Sequence, residues 1–152
     1  MAQLDNAEIV RQIYQAFNDK DLDRLLSYSQ PDTKVLNVAF GKTLGLRDYF
    51  SNWMTGFPDG QIEIVNLVAS ADRVVAEFIG RGTNTGKLFG PTGELPPTQR
   101  RVEMRFCEIY DLRDGKVAGA RTYYDSATMM RQLELLVAPG QKPEVVQPGF
   151  QH

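Results

Sequence analysis

Asp125 closes the run Arg121-Thr122-Tyr123-Tyr124-Asp125, and Glu108 lies on the strand-like segment before it, so a carboxylate can be brought close to phenols and a guanidinium. With Asp114-Gly115 as a two-residue turn, Arg113 faces Lys116. Counting outward then sets Asp125 opposite Met104, Tyr123 opposite Phe106 and Arg121 opposite Glu108. Strand side chains alternate, so all six are expected on one face, with Asp125 among apolar neighbours. Desolvation of that kind raises a carboxyl pKa toward the range useful for proton transfer near neutral pH. Asp125 is therefore the candidate acid/base. It also adjoins Ser126 at the start of a helical run, where a carboxylate would serve as an N-terminal cap.

Around it, Tyr123 and Tyr14 are candidate donors to a substrate oxygen, or core tyrosines with satisfied hydroxyls. Arg121 is a candidate substrate contact, or the partner of Glu108 in a cross-strand ion pair. Trp53, Phe57, Phe78, Met104 and Phe106 have the character of an apolar pocket lining, and core residues would have the same character. Asn84, between Gly82 and Gly86, reads as turn chemistry. His152 is the only histidine, which leaves the body of the chain without the commonest general base and zinc ligand. No dinucleotide fingerprint, phosphate-binding loop or metal-ligand spacing occurs, so neither a cofactor nor a metal is expected.

The elements that must position these residues follow from periodicity. Ile9, Val10, Ile13, Tyr14 and Phe17 recur at helical spacing behind Asn6, a capping residue. Asp21 precedes a short helical segment that ends before Pro31. Lys34 to Phe40 reads as a strand, Gly41 and Gly45 as turns, and Leu46 to Met54 as a third helix. The period then becomes two. Gln61 to Ser70 pairs with Arg73 to Thr85 across Ala71-Asp72, and Arg100 to Leu112 pairs with Lys116 to Asp125 across Asp114-Gly115. The intervening Gly86 to Pro97 is rich in glycine and proline and is expected to be an irregular loop at a site or an interaction surface. A last helix, capped by Ser126, runs through Met129, Met130, Leu133, Leu136 and Val137. Helices on one face of a bent antiparallel sheet make an α+β domain.

Length and composition agree. The chain's 152 residues, 42% hydrophobic and 24% charged, suit one globular domain; we expect it to span residues 1–138, with a Pro/Gly-rich tail over 139–152. A net charge of -2 with no long run of one sign disfavours nucleic acid as a partner. No stretch approaches the roughly 20 apolar residues of a membrane span. A single cysteine, Cys107, and an N-terminus without signal-peptide character make the cytoplasm the expected compartment.

Gly82-Thr83-Asn84-Thr85-Gly86, Pro91-Thr92-Gly93, Arg113-Asp114-Gly115-Lys116-Val117 and the closing Tyr123-Tyr124-Asp125 with Gln132-Leu133 carry a resemblance. In this order they resemble the SnoaL-like polyketide cyclase family of the NTF2-like fold, from the first helix to Leu136. The resemblance implies a cone of N-terminal helices packed on a strongly curved antiparallel sheet. It also implies an aspartate at the end of the last strand, here Asp125, as acid/base of a cofactor-free intramolecular aldol ring closure on a polyketide ester, a hydrophobic small molecule. A homodimer is expected, since Glu103, Arg105, Cys107 and Ile109 form a mixed face suited to a subunit interface. The alternative is a non-catalytic pocket of the same fold that binds a hydrophobic small molecule.

Overall fold

The computed structural model describes residues 5–136 and 139–140, so His152 and nearly all of the expected tail lie outside the described residues. Helix α1 (Asn6–Asn18) starts one residue earlier than Asn6 would allow as a cap. Asp5 is the cap instead, accepting a hydrogen bond from the Glu8 amide at 2.8 Å. Its buried stripe of Ile9, Val10, Ile13, Tyr14, Ala16 and Phe17 faces the sheet, each larger side chain contributing about 1.5–3 kcal/mol by leaving water. Helix α2 (Leu22–Leu26) is capped by Asp21 as expected.

Strand β1 (Ser29–Asn37) begins before the expected Lys34 and includes Pro31. Its antiparallel partner β2 (Lys42–Gly45) occupies what reads in sequence as turn punctuation. The β2 pairing begins only at Lys34, so Pro31 leaves no missing donor in that ladder. Helix α3 (Leu46–Gly56) follows, then β3 (Gln61–Ser70) and β4 (Arg73–Thr83). Residues 86–97 are not wholly irregular: β5 (Leu88–Gly90) and β6 (Gly93–Leu95) form a separate two-stranded ribbon. Strands β7 (Arg101–Arg113) and β8 (Lys116–Tyr124) complete a six-stranded sheet of order β2-β1-β8-β7-β4-β3. Every pairing in it is antiparallel except β1 with β8. Helix α4 (Ser126–Gln132) is shorter than expected and capped by Asp125 rather than by Ser126. This is an α+β domain, helices on one side of a curved six-stranded sheet, with the hydrophobic core on the inner face of the sheet.

The β7–β8 hairpin decides which residues reach that inner face. Asp114 and Gly115 take φ of 54° and 75°, and Arg113 pairs with Lys116, as the turn residues require. Two residues beyond Lys116 the register shifts: Leu112 pairs with Val117 but Asp111 pairs with Gly119, leaving Ala118 as the extra residue of a β-bulge. Beyond it every side chain of β8 is on the opposite face from that expected. Thr122 and Tyr124 point inward, opposite Glu108 and Phe106, and Arg121 and Tyr123 point outward, opposite Ile109 and Cys107.

Candidate active site

Inner positions of β7 are Val102, Met104, Phe106, Glu108, Tyr110 and Leu112, an apolar row interrupted by one acid. Glu108 is only 2% exposed. A buried carboxylate needs partners, and three phenols supply them. Tyr14 of α1 donates to Oε1 at 2.9 Å and Tyr110 donates to the same oxygen at 2.7 Å. Tyr49 of α3 donates to Oε2 and also lies 3.1 Å from Thr122 Oγ1, whose hydroxyl donates in turn. Burial first, and the Glu108 charge second, push all three phenols well above their ordinary range, so they remain protonated donors.

On the Oε2 side lies a cavity of about 60 Å³, lined by Tyr49, Trp53, Phe57, Phe78, Met104, Phe106 and Glu108 among others. It exists because the inner row of β4, after Val74, Ala76 and Phe78, continues with Gly80 and Gly82. A Cβ on Gly80 would stand 3.0 Å from Phe106 Cε1, and one on Gly82 3.1 Å from Phe57 Cβ. Phe78 and Phe106 stack at 5.0 Å with their planes 7° apart, and Trp53 meets Phe106 edge-on at 5.6 Å. Such a chamber holds a few waters or one small polar-apolar group, a water needing roughly 10–15 Å³.

Five of the residues singled out in sequence, Trp53, Phe57, Phe78, Met104 and Phe106, thus line one cavity. Tyr14 is beside it, behind Glu108. The others are elsewhere. Asp125 is exposed at the N-terminus of α4, where its Oδ1 accepts from the Ala127 and Thr128 amides and its Oδ2 from the Thr128 hydroxyl at 2.7 Å. Those hydrogen bonds, the Thr128 hydroxyl foremost, hold its carboxyl below the usual range rather than above it. Tyr123 is 39% exposed on the outer face. Arg121 pairs there with Asp111 at 3.3 Å, not with Glu108. Tyr124 stands in the inward place expected for Tyr123, its hydroxyl accepting from Asn37 Nδ2 at 3.0 Å, and burial pushes that phenol up.

The sequence offers Glu108 only beside Arg121, as an ion pair or a ligand clamp, and gives Tyr49, Tyr110 and Thr122 no place in a site. The detectable signal was the acid two residues after Phe106 and two before Tyr110, within a period-two apolar row. Among the described residues, no three His, Cys, Asp or Glu side chains are grouped to hold a metal ion. No helix among them is long and apolar enough to cross a membrane.

The cap has a testable consequence. Asp125→Ala is expected to lower the melting temperature at pH 6. Because the folded-state pKa is depressed, the carboxylate's contribution is present above the unfolded value near 3.9 and lost as pH falls through the folded value. The gap between variant and parent should therefore narrow in melts run progressively below pH 4; a gap that widens there would contradict the cap.

Comparison with known proteins places this geometry. Residues 7–133 match the family described as SnoaL-like polyketide cyclase. No curated protein sequence matches the chain. Among solved structures, AclR from Streptomyces galilaeus, named as a candidate hydroxylase, superposes with a TM-score of 0.72 at 22% identity, covering 86% of this chain and 96% of its own. IdmH from Streptomyces antibioticus, named as a candidate polyketide cyclase, has a TM-score of 0.68 at 26% identity over 84% of this chain and 96% of its own. TerC, co-crystallised with polyporic acid, has a TM-score of 0.64 at 19% identity over 85% and 98%.

Proposed function

The chain belongs to the SnoaL-like polyketide cyclase family, and from that premise we propose that it carries out cofactor-free acid/base chemistry next to a carbonyl of a hydrophobic small molecule. The reaction is an aldol-type cyclisation or a proton transfer. The observation that carries this reading is the Glu108 carboxylate, held by three phenols at the wall of an apolar cavity. Glu108 takes the proton from the carbon beside the carbonyl, and the C–H electron pair moves onto the carbonyl oxygen. Once protonated, Oε2 no longer needs the Tyr49 proton, and Tyr49, the phenol that lines the cavity, turns its O–H to the developing oxyanion. The enolate carbon then attacks a second carbonyl, or takes a proton back at another position, with Glu108 returning the proton. Tyr14 and Tyr110 keep the carboxylate in place from behind. In this reading the acid/base is Glu108, and Asp125 serves the helix.

The test is deuterium exchange. Incubated in D2O with a series of apolar cyclic ketones, the protein should exchange protons beside the carbonyl faster than buffer does, followed by proton NMR. A second reading rests on the complete mutual satisfaction of Glu108 and its phenols: the cavity only binds its ligand. Ketone binding without accelerated exchange would select that reading.

We further place the protein in the cytoplasm as a homodimer joined through the outer face of the sheet. Arginines and acids alternate there in paired rows, Arg105 with Glu77, Arg73 and Arg121 with Asp111, and Arg81 with Glu63 and Glu103. A two-fold copy can set each row against its opposite. Beside them Val68 is 61% exposed and Tyr123 39%. Sedimentation equilibrium at micromolar concentration should give twice the chain mass, and Val68→Glu should give the monomer; a monomeric parent would overturn this assembly.

A further inference from the structure

A cleft beside the inner cavity shares Tyr49 and Trp53 with it. It has a volume of about 370 Å³ and lies between α3, the β1–β2 turn and β5, lined by Asn37, Phe40, Lys42, Asp48, Ser51 and Phe89 among others. The two shared residues differ in how firmly they are held. Tyr49 is anchored through its hydroxyl to Glu108 and Thr122. Trp53 is only half-buried and packs against aromatic rings, edge-on to Phe106 and Tyr124 at 5.6 Å and to Tyr49 at 6.3 Å and stacked on Phe57 at 6.0 Å. The inner chamber is too small for anything beyond the reacting end of a ligand of ordinary size.

We propose that the outer cleft is the second half of the ligand site, that one extended ligand occupies both chambers, and that Trp53 is the movable partition that determines its length. This rests on the inner cavity being a ligand site, as proposed above, and not on Glu108 being a base. The ligand's small carbonyl-bearing end sits against Glu108, and its remainder passes Trp53 into the cleft. The lining states the chemistry of that remainder. Trp53, Phe40 and Phe89 offer flat apolar surface. Lys42 and Asp48, neither in an ion pair among the described residues, offer one charge of each sign. A neutral ring that both donates and accepts hydrogen bonds fits this lining better than an anion or a cation.

Asn52 fixes the outer wall. Its Nδ2 donates to Phe89 O at 3.1 Å and its Oδ1 accepts from Phe89 N at 2.8 Å, fastening the β5–β6 ribbon to α3 beside the cleft.

Trp53 is the chain's only tryptophan, so its fluorescence reads the partition directly. The probes are cyclohexanone, a single ring bearing the carbonyl, and 4-(4-hydroxyphenyl)cyclohexanone, which carries the same reacting ring and a second one. Affinities come from calorimetry and, for the longer ketone, from the shift in Trp53 emission. The longer ketone should bind the parent roughly tenfold or more tighter and shift the emission. Trp53→Ala should raise the affinity ratio, long over short, a further tenfold or so, because the partition no longer has to be displaced. Ser51→Trp at the rim of the cleft leaves the packed interior intact and should lower that ratio at least tenfold. If cyclohexanone binds but the ratio is unmoved by Ser51→Trp, the two-chamber site is overturned and the inner cavity stands. If neither ketone binds the parent, the inner-cavity reading falls and this proposal with it.

Discussion

Glu108→Gln should slow exchange beside the carbonyl by roughly 10²- to 10⁴-fold, the usual contribution of a positioned general base, in a protein that still folds. The amide keeps one carbonyl oxygen for Tyr14 and Tyr110. Its NH2 replaces Oε2 and donates where it had accepted, and Tyr49 can turn its proton to Thr122 Oγ1, already 3.1 Å away. Glu108→Ala has no such rescue. It strands buried phenol donors at about 1–3 kcal/mol each and opens a void beside them. A total loss on the order of 3–5 kcal/mol would consume much of a domain's usual 5–15 kcal/mol. NMR exchange rates for the Gln variant and urea unfolding for the Ala variant are the two measurements. A Gln variant that exchanges at the parent rate would take Glu108 out of the chemistry.

The second large effect is expected far from any reacting atom. Asn84 is 1% exposed and makes four side-chain hydrogen bonds. Nδ2 donates to Gly56 O at 3.0 Å and to Gly86 O at 2.9 Å, and Oδ1 accepts from the Thr98 amide at 2.9 Å and its hydroxyl at 2.8 Å. One side chain thus joins the end of α3 to both ends of the segment that carries β5 and β6. Packing there is close enough that a Cβ on Gly86 would fall 1.8 Å from Thr55 O. Asn84→Ala should cost about 2–4 kcal/mol in urea unfolding, since the buried Thr98 amide and the half-buried Gly86 carbonyl lose the bonds Asn84 makes to them, and Gly56 O keeps only the longer bond from the Gly86 amide at 3.3 Å. Asn84→Asp should rescue little of it, because a carboxylate cannot donate to Gly56 and Gly86. A loss below about 1 kcal/mol in the Ala variant would show that water replaces these bonds.

Much of this arrangement was legible in the amino acids. The helical stripe of α1, the bounds of β3, the Asp114-Gly115 turn and the resemblance in the last strand all led to the observed fold, because each is a local pattern repeated over many residues. The aromatic lining was legible for the same reason. The facing of β8 was not. Alternation propagates one parity along a whole strand, and a single extra residue, Ala118, inverts it for Arg121, Tyr123 and Asp125 together. Gly119 inside the strand was the available hint, since a glycine there commonly accompanies a bulge. Three-residue strands such as β5 and β6 are too short to show any period. The cap on α4 was legible as an alternative, and the bulge decides in its favour by turning Asp125 away from the interior.

The lone parallel pairing, β1 beside β8, also bears on when the site comes into being during synthesis. Val35 pairs with Ala120, so the first strand waits on the ribosome until the last has emerged, holding a half-built sheet whose edge is unsatisfied. Tyr14 and Tyr49 are made long before their acceptor Glu108. Contacts of such long sequence separation form late and slowly. A chain arrested anywhere before β7 can possess its first three helices, its β3–β4 hairpin and most of its aromatic side chains, and still have no carboxylate for Tyr14 and Tyr49 to hold.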